Sequence, residues 1–160
     1  MKKIIGVGLL LFTSIEGVPK MYTVKELKAK PSIFKEVGMI GPPFETMEEK
    51  DDDNIETTIT RLIQEETPFS ISEICLHEII SEDFNLIPKR PDIFTRYAYA
   101  SLKSDPPEEI LELPDIDISF AGWHPLCEMY DKFTRIETLP ILNHFKRNSH
   151  YAKLCHLVLS

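Results

Sequence analysis

The residues of this chain that could take part in chemistry are acids, histidines and cysteines, and their spacing is not distinctive. The run Asp51-Asp52-Asp53 could bind a divalent cation or could simply form a solvated acidic linker. His124 and Cys127 are the closest pair of candidate zinc ligands in the sequence. Because neither C-x-x-C nor H-E-x-x-H occurs, we predict no metal site.

Signals of an enzyme are missing as well. There is no phosphate-binding glycine loop and no G-x-S-x-G, and the chain has six glycines in all. No two acids have a spacing that singles out a general acid and a general base. We therefore predict a protein that is not an enzyme, with no catalytic residues and no cofactor. The three cysteines are odd in number and favour a reducing compartment over a disulfide framework.

Charge is divided unevenly along the 160 residues. Residues 1–35 carry seven lysines and two acids, a net charge of +5, so the rest of the chain carries −13 of the total of −8. A basic segment of this kind binds anionic surfaces such as lipid headgroups. The predicted membrane-binding residues are Lys2, Lys3, Lys20, Lys25, Lys28, Lys30 and Lys35.

The first seventeen residues allow more than one interpretation. Lys2 and Lys3 precede the apolar run Ile4 to Phe12, an order typical of a signal peptide with cleavage after Gly17. The run is too short for a transmembrane helix. A buried strand, or an apolar segment that dips into a membrane beside its lysines, would give the same pattern.

Local patterns predict the secondary structure of the rest. Capping boxes at Thr23/Glu26 and Ser70/Glu73 each predict a helix, and Pro91 is placed to begin another. A helix is also predicted from Thr138 to Phe145. Strands are predicted at 55–63, 116–120 and 151–159, where β-branched or apolar residues alternate.

Together these elements predict one α+β domain. We expect an antiparallel β-sheet packed against two or three helices, with helices on one face. Pro42, Pro43 and the acids that follow predict a mobile linker over residues 38–54. The division predicted is a basic N-terminal arm with its Pro/acidic linker (1–54) and a globular domain (55–160).

Three stretches resemble the rhabdovirus matrix protein of the vesicular-stomatitis type. They are Ile59-Thr60-Arg61 leading to Thr67–Glu73, Lys89-Arg90-Pro91 leading to Ala100–Lys103, and Leu139–Phe145 followed by Leu154–Leu159. The resemblance covers about residues 55–160, in the family's order. Family members also carry a proline-rich late motif that recruits host ubiquitin ligases. Pro42-Pro43-Phe44 stands in that place here, although Glu45 replaces the usual tyrosine.

This resemblance implies a structural function. The protein would lie beneath the virion envelope and on the inner face of host membranes. It would bind anionic membrane lipid and the viral nucleocapsid, associate with itself, and engage host budding machinery. The alternative is a small secreted interaction protein from which residues 1–17 are cleaved.

Overall fold

The fold is built around its first strand. The computed structural model describes residues 2–110 and 112–159. β1 (Ile4–Ile15) forms a hairpin with β2 (Val18–Glu26) and runs parallel to β6 (Ile93–Leu102). The two-residue hairpin loop, Glu16-Gly17, has φ of 54° and 75°, the left-handed conformation that such tight turns require. β1 is therefore paired on both edges.

Among the described residues, four further strands complete a mixed sheet of seven. They are β3 (Ile40–Gly41), β4 (Phe44–Thr46), β5 (Ile74–Ile79) and β7 (Ile118–His124). The order is β3-β2-β1-β6-β5, with β4 also paired to β1 and β7 to β2. The described residues form four helices: α1 (Ile55–Glu66), α2 (Leu126–Met129), α3 (Thr138–Arg147) and α4 (His150–Leu159).

β1 and β2 separate beyond their hairpin, and the segment 40–46 fills the gap. β1 pairs with β2 through Phe12–Ile15 and with β4 through Gly6–Gly8, on the edge opposite β6. β2 in turn pairs with β3 at Val24 and Lys25. β3 and β4 therefore form a wedge between the two long strands, and the wedge opens the space that becomes the cavity described below.

Helices cover both faces of the sheet. On one face Leu9 and Leu11 of β1 pack with Leu62 of α1 in one core cluster. On the other face Leu10 and Phe12 belong to a second cluster with α3 and α4. The near-continuous apolar run of β1 is what a strand buried on both faces requires. The α+β fold is confirmed, whereas the all-antiparallel sheet with helices on one face is wrong.

Residues 55–63, predicted as a strand, form the start of α1. The Asn54 side chain caps this helix by accepting a hydrogen bond from the Glu56 backbone N–H at 3.0 Å. Ile59, Leu62 and Ile63 then lie on the buried side at helical spacing. The β-branched composition was misleading, because burial of one helix face outweighs the weak intrinsic preference of those residues.

Three other elements also differ from the sequence prediction. The capping box at Ser70 and Glu73 forms, but it encloses only a 3₁₀ turn before β5. The segment after Pro91 is the long strand β6, and the predicted C-terminal strand is helix α4. The helix predicted from Thr138 is confirmed as α3.

The prediction of a mobile basic N-terminal arm is wrong. Residues 4–26 form two strands of the sheet, and Leu9, Leu10 and Met21 are fully buried. The helix predicted at Thr23/Glu26 is part of β2. Pairing of β1 with β6 joins residues on both sides of the boundary predicted at 54/55 into one sheet. The apolar side chains of these strands pack on both faces of the sheet. Exposing them to solvent in a mobile arm would therefore cost a large amount of hydrophobic free energy.

Over residues 2–110 and 112–159, no helix has the length and apolar content needed to cross a bilayer.

A core substitution tests the position of β1. Leu10 is fully buried between the sheet and α3 and α4, so Leu10→Ala should lower the free energy of unfolding by about 2–5 kcal/mol. Lys2→Ala, at an exposed position of the same segment, is the control and should have little effect. Urea unfolding measures both, and an unchanged midpoint for Leu10→Ala would contradict the buried position of β1.

Candidate functional site

A cavity of about 430 Å³ lies beside the wedge formed by β3 and β4. Its lining combines carboxylates, basic side chains and aliphatic side chains. The acids are Glu26, Glu45, Glu65, Glu66, Asp115, Asp117 and Glu137, and the bases are Lys30, Lys35, Arg90 and Arg135. Seven acids against four bases make the lining formally acidic, so it would repel a phosphate group unless protons or cations offset that charge.

Four of the acids form two pairs of carboxyl groups. Burial, followed by a hydrogen bond with Glu65, raises the pKa of Glu45 to about 7. Burial, followed by a hydrogen bond with Asp115, raises the pKa of Glu66 to about 9. Ionising both carboxyl groups of a pair is unfavourable, so the Glu66–Asp115 pair holds a proton at neutral pH and the Glu45–Glu65 pair is about half protonated there, unless a cation is bound.

Three segments of the chain position these carboxyl groups. Glu45 lies on β4, Glu65 and Glu66 end α1, and Asp115 lies in the loop before β7. The Asp115 backbone N–H donates to the Glu65 carbonyl at 2.9 Å, which attaches this loop to the end of the helix. Tyr22 of β2 donates its hydroxyl to the Glu66 carbonyl, also at 2.9 Å. The site is therefore attached to the sheet.

A buried ion pair holds β4 against α1. Arg61 contacts the carboxylate of Asp51 and donates to the Thr46 carbonyl at 2.6 Å. The Arg61 guanidinium also lies 3.7 Å from Glu45. Thr58 donates to Asp51 at 2.9 Å, and Asp51 is 2% exposed. The hydrogen bond from Arg61 holds the pKa of Asp51 down at about 2. This acid therefore has a structural role.

A second group of charges forms the opposite side of the cavity. Arg135, 2% exposed, donates to Glu26 at 3.1 Å and to the Pro42 carbonyl. The Lys35 ammonium lies 3.5 Å from the same Glu26 oxygen. The Arg135 guanidinium also lies over the ring of Phe44, 4.6 Å from its centre. This side of the cavity is basic where the α1 side is acidic.

The seven lysines predicted to bind membrane do not lie together. Lys3 precedes β1, whereas Lys20 pairs with Thr13, ten residues further along that strand and about 33 Å away. Lys2 and Lys3 are paired with Glu49 and Asp83, and Lys25 and Lys28 are exposed. Only Lys30 and Lys35 line the cavity.

The residues predicted to form a late motif belong to the wedge. Pro42 and Pro43 are buried, and the Pro43 carbonyl accepts from the Leu9 N–H at 3.1 Å. The Phe44 ring lies over Gly8, where an added Cβ would approach it to 2.7 Å. Phe44 lines the cavity, and the segment is a folded part of the sheet instead of a mobile linker.

The acids that line the cavity were not singled out by sequence reasoning. Glu65-Glu66 at the end of a helix was a visible signal, but the strand predicted over residues 55–63 concealed the helix that ends there. Glu45 and Asp115 are distant in sequence and meet α1 only in the fold. Within residues 2–110 and 112–159, no group of three or more His, Cys, Asp or Glu side chains is arranged to hold a metal ion.

Several solved structures share this fold. The NUDIX domain of Shewanella oneidensis NrtR, solved with ADP ribose, has a TM-score of 0.69 and 18% identity over 92% of this chain and 89% of that one. The C. elegans Ap4A hydrolase has a TM-score of 0.64 and 13% identity over 94% and 98%. RenU, a Nudix hydrolase from M. smegmatis, has a TM-score of 0.66 and 9% identity over 91% and 85%. The chain therefore has the Nudix fold.

Sequence comparison adds no closer relative. No family model and no curated protein matches this chain.

The fold overturns the resemblance to a rhabdovirus matrix protein. The predicted viral assembly function and virion or inner-membrane location are wrong with it, as are the lipid, nucleocapsid, self-association and budding partners. The prediction that the protein is not an enzyme is also corrected, because the structural neighbours are Nudix hydrolases. The secreted alternative is not supported either, since cleavage after Gly17 would remove β1 from the centre of the sheet. The three matching stretches were short enough to recur by chance.

The ion pair beneath the site gives a prediction. Arg61→Leu should lower the free energy of unfolding by about 3–5 kcal/mol at pH 7, because it leaves Asp51 buried without its partner. The pKa of Asp51 is lowered by folding, so its stabilising contribution is present above pH 4 and is lost as the pH falls toward 2. The difference between wild type and Arg61→Leu should therefore shrink over that range.

Denaturant unfolding at several pH values measures this difference. The double variant Asp51→Asn/Arg61→Leu is the matched control and should recover part of the loss, because no buried charge remains. A wild-type free energy of unfolding for Arg61→Leu would contradict the structural role of the pair.

Proposed function

We propose that the protein is a hydrolase of nucleotide derivatives that works with a divalent cation. The observation that carries the proposal is the pair of carboxyl–carboxyl contacts at the end of α1, facing a cavity large enough for a small molecule. Structural likeness to the C. elegans Ap4A hydrolase and to other Nudix hydrolases supports it.

The donor set suits a magnesium ion. Mg²⁺ is usually held by one or two carboxylates together with substrate phosphates and water, so a preformed cage of three protein ligands is not required. Glu66 and Asp115 would hold the cation, because their shared site is the one that burial makes most unfavourable for uncompensated negative charge. When bound, the cation neutralises phosphate charge and polarises the phosphoryl group.

The chain's own residues have two further tasks in this proposal. Glu45, with its pKa raised to about 7, can accept a proton from an attacking water near neutral pH, which is where a general base works best. Arg61 holds β4 against α1 and so fixes the position of Glu45 relative to the helix. Hydrolysis needs both the raised pKa of Glu45 and its fixed position, since proton transfer depends on geometry as much as on pKa.

A second candidate function is binding of a nucleotide derivative without hydrolysis. It is favoured by the finding that, among the described residues, no group of three or more His, Cys, Asp or Glu side chains is arranged to hold a metal ion. The NrtR domain that shares the fold was solved with ADP ribose. Product formation from ADP-ribose or Ap4A in the presence of Mg²⁺ distinguishes the two candidates.

Removal of the proposed base gives the third prediction. Glu45→Gln should lower kcat by roughly 10²–10⁴-fold, the usual contribution of general base catalysis, while the fold is retained. The matched control is Glu56→Gln, an exposed acid on α1 away from the cavity, which should keep wild-type activity. Steady-state assays on ADP-ribose and Ap4A with Mg²⁺ measure both. Equal rates for Glu45→Gln and wild type would remove Glu45 from the mechanism.

Cation binding should depend on pH. The raised pKa of Glu66 means that a proton occupies the shared site below about pH 9, and a cation must displace it. The apparent affinity for Mg²⁺ should therefore increase from pH 6 to pH 9, by roughly up to tenfold per pH unit for each proton released.

Isothermal titration calorimetry at several pH values checks this dependence. Glu66→Gln removes the titrating group and should both weaken Mg²⁺ binding and flatten its pH dependence. Affinity that does not change with pH in the wild type would contradict a cation site at these carboxyls.

A further inference from the structure

We propose that residues 28–37, which connect β2 to β3, form a strap that opens and closes over the cavity. Its tip, residues 30–35, contributes four of the residues that line the cavity: Lys30, Ser32, Ile33 and Lys35. Opening of the strap would admit the ligand, and closing would shield it from solvent. The proposal adds control of access to the proposed function, on which it rests only for the identity of the ligand.

The position of the strap follows from the strand order. The strap leaves the sheet at the end of β2, and β2 and β6 lie on opposite sides of β1. Arg90, which precedes β6, donates from its Nη1 to the Ser32 carbonyl at 3.4 Å. The tip therefore reaches across β1, whose residues Ile4 and Gly6 line the cavity, to the far rim.

The base of the strap is fixed to the sheet. The Glu26 N–H donates to the Met39 carbonyl and the Gly38 N–H donates to the Glu26 carbonyl, both at 2.8 Å. Gly38 has a φ of 93°, a conformation that glycine adopts without the steric cost of a side chain. Residues at the end of an element that adopt such conformations are suited to act as hinges. The strap therefore joins the sheet at one defined point.

The tip is closed on itself. Lys30 and Lys35 exchange backbone hydrogen bonds of 2.9 and 3.1 Å, and Pro31–Ile33 form a 3₁₀ turn between them. Phe34 has a φ of 61°, which a bulky residue adopts only where the surrounding structure imposes it. The tip therefore keeps its shape and moves as one body.

Few contacts hold the tip against the rest of the protein. None of residues 28–37 is buried, and Phe34 is 40% exposed. Among the described residues, the tip has one hydrogen bond to another segment, that from Arg90, and one ion pair, between Lys35 and Glu26 at 3.5 Å. The bond from Arg90 is longer than a usual N–H···O bond. Segments with so few buried contacts open at a small cost in free energy while the rest stays folded.

Arg90 is the fixed end of the contact across the cavity. Its guanidinium makes two hydrogen bonds of 3.0 Å to Asp92, so it stays in place when the strap moves. Because the strap is held by one long hydrogen bond there, a small gain or loss of contacts changes the fraction of molecules that are open. Closure over a bound ligand excludes water and strengthens the electrostatic interactions inside the cavity.

Thiol labelling of a cavity-facing position tests the strap on the full chain. Ile33→Cys is introduced together with Cys75→Ser, Cys127→Ser and Cys155→Ser, so that a maleimide reports only on position 33. Where opening is fast compared with labelling, the labelling rate follows the open fraction. Arg90→Gln should raise that rate roughly threefold to tenfold, the value of one weak hydrogen bond.

Two controls accompany the measurement. Lys89→Gln makes the same change of charge at the exposed neighbour of Arg90 and should leave the rate unchanged. Ala29→Cys, at an exposed position of the strap outside the cavity lining, should label fast whether or not Arg90 is present. Lys35→Gln removes the other contact of the tip and should also raise the rate, which keeps the test valid if Arg90→Gln fails to fold.

Two results would overturn the strap. One is labelling of Ile33→Cys as fast as that of Ala29→Cys, and the other is a rate that neither Arg90→Gln nor Lys35→Gln changes. Hydrolysis of ADP-ribose with Mg²⁺ is measured on the wild-type chain in parallel. Labelling that depends on Arg90 without hydrolysis would overturn the proposed function alone. Hydrolysis with labelling independent of both residues would overturn the strap alone.

Discussion

The rest of the structure depends on the burial of β1 on both faces. A strand whose alternate side chains enter two different cores needs a layer of helix above it and another below it. α1 supplies one layer and α3 with α4 supplies the other. β1 also pairs on both edges, which fixes its position in the sheet. The helix that packs on it, α1, therefore holds Glu65 and Glu66 at a fixed position relative to the sheet.

The cavity is a consequence of how the long hairpin opens. β1 and β2 pair only near their turn, and the short strands β3 and β4 occupy the space between their far ends. Gly8 makes this possible, because a side chain there would meet the Phe44 ring. The wedge brings Glu45 to the end of α1 and exposes a concave surface lined by polar groups.

Electrostatics divide that concave surface into two sides. On the α1 side, burial and then the neighbouring acids raise the pKa values of Glu45 and Glu66, so these carboxyl groups carry only part of their negative charge near neutral pH unless a cation is bound. On the other side, Arg135 and Lys35 share Glu26. Asp51 and Arg61 pair with each other beside the acidic side, and Arg61 also contacts β4, so their role is to hold β4 against α1. Carboxyl groups with raised pKa values beside a cavity are typical of functional sites.

The sequence by itself determined the α+β class, helix α3, the capping box at Ser70/Glu73 and the apolar character of β1. It did not determine whether 55–66 or 93–102 would be helix or strand, because β-branched and aromatic residues suit either when they are buried. Only the tertiary structure brought Glu45 and Asp115 to the end of α1, since the three segments are far apart in the chain. The carboxyl pairs, their raised pKa values and the cavity arise from that proximity, and no local pattern encodes it.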